Sequence, residues 1–261
     1  MTVLEEIVAS KKRELIETKR ELPLEDLLSQ IPEQVPVSWQ SALTESGINI
    51  IAEIKYKSPS RGDFACQLPA GDLAGIYLEN GAVALSVLTE KNYFAGDLRF
   101  LKEIAQEMPE LPLLRKDFIV ERYQVVETRN ACACAFLLIA SCLSEGQLAS
   151  LIRYGEDFHL DALVEIHDPF ELEKAINSGA RIIGVNNRDL RTFQVALDTS
   201  FELARRMEGE EGYILISESG IQEHSQIVEL QDAGFSAFLI GSVLMDSSDP
   251  GATLRQLRGE E

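Results

Sequence analysis

The chain has 261 residues, 45% hydrophobic and 26% charged, which excludes a disordered polymer and suffices for one large α/β domain or two smaller ones. Its 24 Lys and Arg against 43 Asp and Glu give a formal charge of −19, which argues against non-specific binding of nucleic acid or anionic membrane. No stretch approaches the roughly 18 apolar residues of a spanning helix, and the opening "MTVLEEIVASKKRELIETKR" lacks the apolar run of a secretory signal, so a cytoplasmic protein is expected.

The N-terminus reads as helix. Thr2 with Glu5 fits a capping box, and Leu4, Ile7, Val8, Lys11 and Leu15 recur at helical spacing. Pro23 interrupts it, and "LEDLLSQI" suggests a second short helix before the Pro-containing "IPEQVPVS". Residues 1–46 are therefore expected to be a helical extension packed on the remaining 47–261.

After that extension, short apolar runs recur: "INIIAEI", "AVALSVLT", "LPLLRKDF", "AFLLIA", "DALVEI", "RIIGVN", "YILISES" and "AFLIG". Helical patterns such as "PFELEKAINSGA" and "SQIVELQDAGFS" lie between them, several stopped by a glycine (Gly81, Gly179, Gly234). Near-continuous apolar runs are strands covered on both faces, and their alternation with helices is the pattern of βα units. Eight such units point to a TIM (β/α)8 barrel. An open doubly wound sheet is the alternative, but no Gly-x-Gly-x-x-Gly follows any run.

Cys132, Cys134 and Cys142 cluster in or beside "ACACAFLLIASC", with Cys66 elsewhere, and the three His residues offer no zinc spacing. The cysteines read as small core residues, and no metal is expected.

In a barrel the active site lies at the C-terminal strand ends. Those ends carry Glu53, Lys55 and Ser58; Thr89 and Glu90; Lys116 and Asp117; Glu165; Asn186, Asn187 and Arg188; Glu218 and Ser219; Gly241 and Ser242. Charged groups directly after core sequence would converge on one mouth. "SESG" (Ser219, Gly220) and "IGS" (Gly241, Ser242) supply small residues after strands seven and eight, where such barrels commonly hold phosphate, and Ser58 could add a hydroxyl. Lys55, Lys116 and Arg188 form the local basic focus that an acidic chain needs for an anionic ligand.

In order along nearly the whole chain, "IAEIKYKSPSRG", "LTEKNYFAG", "LLRKDFIV", "LVEIHD", "GVNNRDL", "ISESGI" and "FLIGSVLM" resemble the signatures of indole-3-glycerol phosphate synthase. "NACACAFLLIASC" departs from the family in its cysteines. The resemblance implies a carboxy-lyase of tryptophan biosynthesis without cofactor, and because the chain carries no fused partner domain a monofunctional enzyme is expected. Its substrate would be the phosphosugar-anthranilate 1-(2-carboxyphenylamino)-1-deoxyribulose 5-phosphate, and other enzymes of that pathway are possible partners. It implies Lys116 as general acid and Glu165 as general base, with Lys55 meeting the substrate carboxylate and available as a second acid. Glu53 would hold a lysine or arginine, and Asn186 and Glu218 would meet the ketose hydroxyls. Arg188 completes the polar wall, while Phe94, Phe118 and Leu190 supply apolar surface for the anthranilate ring. Ser58, Ser219, Gly220, Gly241 and Ser242 complete the phosphate end. Two readings of the residues stay open beside this one: another phosphosugar barrel, such as a Schiff-base aldolase using Lys116, and a non-catalytic barrel.

Overall fold

The eight apolar runs become eight strands because each can be buried on both sides, against helices outside and side chains within. The computed structural model describes residues 2–189 and 192–260. Strands β1 (Ile50–Ile54), β2 (Ala84–Leu88), β3 (Leu113–Lys116) and β4 (Ala135–Ile139) are followed by β5 (Asp161–Ile166), β6 (Ile182–Asn186), β7 (Ile214–Glu218) and β8 (Ala237–Ile240). Neighbours in sequence pair in parallel, and β1 pairs with β8 to close a TIM barrel. A two-stranded hairpin, Lys57–Ser58 with Gly62–Asp63, follows β1. Helices such as Ala70–Glu79, Arg122–Asn130 and Pro169–Asn177 alternate with the strands. Gly81, Gly179 and Gly234, just past three helices, have φ of 90°, 88° and 102°, the left-handed conformation that ends a helix at least cost in a residue lacking Cβ.

Strand parity sorts the core. Ile50, Ala52 and Ile54 of β1 join the apolar layer under the helices, whereas Ile51 joins the cluster inside the barrel. Side chains alternate along a strand, so Glu53 shares the inward parity of Ile51. The same count runs through Leu114 to Lys116, Leu163 to Glu165, Ile182 to Asn186, Ile216 to Glu218 and Leu239 to Gly241. An inward stave that begins in apolar packing therefore ends at the mouth in a polar group on β1, β3, β5, β6 and β7, and in Gly241 after β8.

Before β1 come α1 (Val3–Glu21), α2 (Leu24–Ser29) and α3 (Trp39–Leu43). The Thr2–Glu5 capping box forms in both directions. Leu15 and Leu27 pack on Tyr123 and Val126 of helix Arg122–Asn130. Trp39 and Leu43 join the cluster inside the barrel, and the Gln40 N–H donates to Asp161 at the first residue of β5, 3.1 Å. The N-terminal segment thus reaches both barrel ends: α3 lies at the strand beginnings, while Val3, Leu4 and Ile7 of α1 line the cavity at the strand exits. No helix among the described residues is long and apolar enough to cross a membrane.

Candidate active site

A cavity of about 1210 Å³ opens at the C-terminal strand ends. Its lining includes Glu53, Lys55, Ser58, Phe94, Lys116, Phe118, Glu165, Asn186, Arg188, Glu218, Ser219, Gly220, Gly241 and Ser242. Every sequence-expected site residue among the described ones is therefore in one cavity; Leu190 lies outside the described residues.

Lys116 is the hub. Its ammonium donates to Glu165 Oε2 at 2.9 Å and also to Glu218. Both carboxylates are buried, as register requires: Glu165 sits level with Gly184 of β6, and Asn186 level with Glu218. A Cβ on Gly184 would run into Glu218 Oε1, so the glycine makes room for the second carboxylate. Glu218 was expected to meet substrate hydroxyls; here one oxygen serves Lys116, and Oε1 has no hydrogen-bond partner among the described residues.

These contacts set the charges. Burial opposes the Lys116 ammonium, but Glu165, Glu218 and Glu53 outweigh it and hold the lysine protonated well above its usual range. Burial would raise the Glu165 carboxyl, yet Lys116, His167 and a hydrogen bond from Asn186 bring it below the usual carboxylate range. Glu218 moves the other way: burial and the Glu165 and Glu53 charges raise it despite Lys116. Two carboxylates about one ammonium thus divide into a readily ionised group and one that retains its proton more readily.

Beside this trio Lys55 pairs with Glu53 at 2.5 Å and lies 5.4 Å from the Phe64 ring centre. Gly241 permits this arrangement, since a Cβ there would stand 2.6 Å from Glu53 Oε1. Phe94 and Phe118 form a tilted aromatic pair, centroids 6.0 Å apart. The Arg188 backbone N–H donates to Asn186 Oδ1 at 3.0 Å, and its guanidinium to the Phe193 carbonyl at 3.3 Å.

The turn after β7 is shaped by Ser219 and Gly220, at φ 66° and 91°. Asn187 braces it, its amide donating to Ser217 Oγ and to the carbonyls of Glu218 and Ser219 at 3.0–3.1 Å. Four polar groups at strand ends are taken up by other protein groups, although Asp117 still lines the cavity. Asn187 is a brace, Glu90 caps helix Lys91–Phe94, and Thr89 donates to Asp117 at 2.7 Å. Asp117 is buried with Arg115 and Lys11, both at 3.1 Å. Sequence reasoning missed the α1 wall and also His167, although "EIHD" carried the signal that a histidine follows Glu165 by two residues.

Among the described residues no group of three His, Cys, Asp or Glu is arranged to hold a metal ion. The family profile described as indole-3-glycerol phosphate synthase matches residues 4–257. The chain belongs to this family. Indole-3-glycerol phosphate synthase of Carboxydothermus hydrogenoformans is 40% identical over 97% of this chain and 98% of its own. That of Chlorobaculum tepidum is 43% identical over 95% and 97%. A crystal structure of 3-hexulose-6-phosphate synthase superposes with a TM-score of 0.63 at 15% identity, covering 81% of this chain and 99% of its own; at that identity the likeness is one of fold. The family match replaces the open choice between a synthase and an unrelated phosphosugar barrel, and it extends across α1–α3 as well as the barrel.

Proposed function

We propose that the chain converts 1-(2-carboxyphenylamino)-1-deoxyribulose 5-phosphate to indole-3-glycerol phosphate, carbon dioxide and water. The family membership supports the overall activity, and the observation that carries the residue roles is the Lys116 ammonium held between Glu165 and Glu218 inside the cavity. In ring closure the aromatic carbon bearing the carboxylate attacks the ketone, whose oxygen gains negative charge. A fixed buried ammonium stabilises that charge and gives its proton as the oxygen becomes basic. Loss of carbon dioxide then returns the bonding electrons to the ring. Dehydration removes a proton from the sugar carbon next to nitrogen, for which ionised Glu165 is the base, while the hydroxyl leaves as water with a proton from a lysine.

Lys55 and Arg188 bring positive charge to the cavity for the substrate's anionic groups, and Glu53 orients Lys55. Phe94 and Phe118 offer apolar surface to the anthranilate ring. Ser58, Ser219, Gly220, Gly241 and Ser242 would take the phosphate through hydroxyls and close-approaching backbone. The Schiff-base alternative requires a neutral amine, whereas three carboxylates hold Lys116 charged.

The test supplies this substrate and follows the indole chromophore. Lys116→Ala and Glu165→Gln should each lower turnover by at least about a hundredfold while the folded spectrum is kept. Turnover within about threefold of wild type in either variant would remove that residue's role. Borohydride should trap no imine.

A further inference from the structure

We propose that His167, clamped by Glu171, is a positioning residue that orients Glu165 by facing the carboxylate oxygen that Lys116 leaves free. The inference rests on Glu165 being the base. Lys116 engages Glu165 Oε2 at 2.9 Å, and His167 Nε2 stands 3.6 Å from Oε1, an ion-pair distance rather than a hydrogen bond. The imidazole is held from its other side: Nδ1 lies 3.0 Å from Glu171 Oε2, and the same oxygen accepts the His167 backbone N–H at 2.8 Å. Glu171 is fixed in turn, its N–H donating to Asp168 at the start of helix Pro169–Asn177.

Nε2 is buried and has no hydrogen-bond partner among the described residues. With carboxylates on both sides, the ring is stabilised with a proton on each nitrogen, because a neutral ring would turn a lone pair toward one of them. Burial works against that charge, but the Glu171 hydrogen bond and the Glu165, Glu171 and Glu218 charges outweigh it, so the imidazole titrates above its ordinary range. Lys116 and Asn186 also address Glu165. On the β4 side, the Cys142 thiol is kept neutral by burial, and Lys174 donates to the Ala140 carbonyl at 2.6 Å. Each Glu165 oxygen therefore faces one cation, Lys116 at Oε2 and His167 at Oε1. When substrate draws Lys116 toward the ketone oxygen, His167 is the cation still holding the carboxylate in place.

The experiment compares single-turnover rates, steady-state constants and pH profiles of wild type, His167→Asn, His167→Gln, Glu171→Gln and Glu165→Gln on the same substrate. Asn is too short to reach Oε1 and should lower the single-turnover rate by about tenfold with KM within about twofold, whereas Gln, whose neutral amide can approach the Nε2 position without restoring the charge, should recover only part of that loss. Without the imidazolium the Glu165 carboxyl is less easily ionised, so the acid limb of the His167→Asn profile should move to higher pH. Glu171→Gln retains the ring but loses its clamp, and should lower the rate in the same direction, which keeps the test decisive if His167→Asn does not fold. Wild-type rates and acid limbs in both His167→Asn and Glu171→Gln, or losses confined to KM, would overturn the proposal while a collapsed Glu165→Gln left Glu165 as the base. Retained activity in Glu165→Gln would overturn both.

Discussion

Lys11→Met and Asp117→Asn cut the same buried ion pair from opposite sides, and their costs should differ. Asp117 is 1% exposed and accepts from Thr89 Oγ1 at 2.7 Å, the Phe118 N–H at 2.8 Å, Arg115 at 3.1 Å and Lys11 at 3.1 Å. Removing the Lys11 ammonium leaves three of these donors and puts an apolar chain of similar length into the site. Two charge-assisted contacts are lost, to Asp117 and to the more exposed Glu14, partly offset by the ammonium's avoided desolvation, for a net cost of about 1–2 kcal/mol. Asp117→Asn instead leaves two buried cations, whose remaining carboxylate partners among the described residues are Glu14 for Lys11 and Glu127 for Arg115. Its cost should be about 3–5 kcal/mol. Because the residues touch, the double variant should cost less than the sum of the two by about 1 kcal/mol or more. Urea unfolding at constant m reads all three values. Lys11→Met should also raise KM more than it lowers kcat, because Lys11 secures the helix whose Val3, Leu4 and Ile7 line the cavity. A Lys11→Met cost equal to that of Asp117→Asn, or strict additivity, would refute this account.

The same carboxylate predicts acid behaviour. Burial alone would raise Asp117, but Arg115, Lys11 and the hydrogen bonds hold it at about 2 against an ordinary 3.8, which corresponds to about 2 kcal/mol. That contribution is present above the ordinary value and is lost as pH falls through about 2, so wild type should lose more stability across this acid range than Asp117→Asn. Gly184→Ala would drive a Cβ into Glu218 Oε1 and to 3.1 Å from Leu163 Cδ1. It should destabilise by about 1–3 kcal/mol and lower kcat by about tenfold through displacement of Glu218; unchanged kcat would separate Glu218's position from catalysis. Burial raises the Cys134 and Cys142 thiols to about 12, Cys66 is buried, and Cys132 is exposed. A thiol reagent at pH 8 should therefore show one fast-reacting cysteine, and Cys132→Ser should remove that phase.

The sequence by itself determined the barrel and the side of it that does chemistry. Runs such as "INIIAEI" are too apolar to expose either face, and they alternate with helices closed by glycine, so a parallel sheet follows from solvation alone. Strand parity then carries Ile51 to Glu53 and Leu163 to Glu165 without any knowledge of partners. What parity cannot supply is which group a charge meets across the barrel. "RKDF" places Lys116 beside Asp117, yet these neighbours pair separately: Lys116 with Glu165 and Glu218, and Asp117 with Arg115 and with Lys11 of α1. Lys11 lies 106 residues from Asp117, and its place in an apolar helical stripe gave no sign of an ionic role. His167 likewise gains its meaning only where Glu171, one helical turn into the next element, reaches back to it. Local pattern is governed by burial, which each segment carries in its own composition. Pairing among buried charges is governed by distances of about 3 Å across separate staves, and only barrel closure decides those.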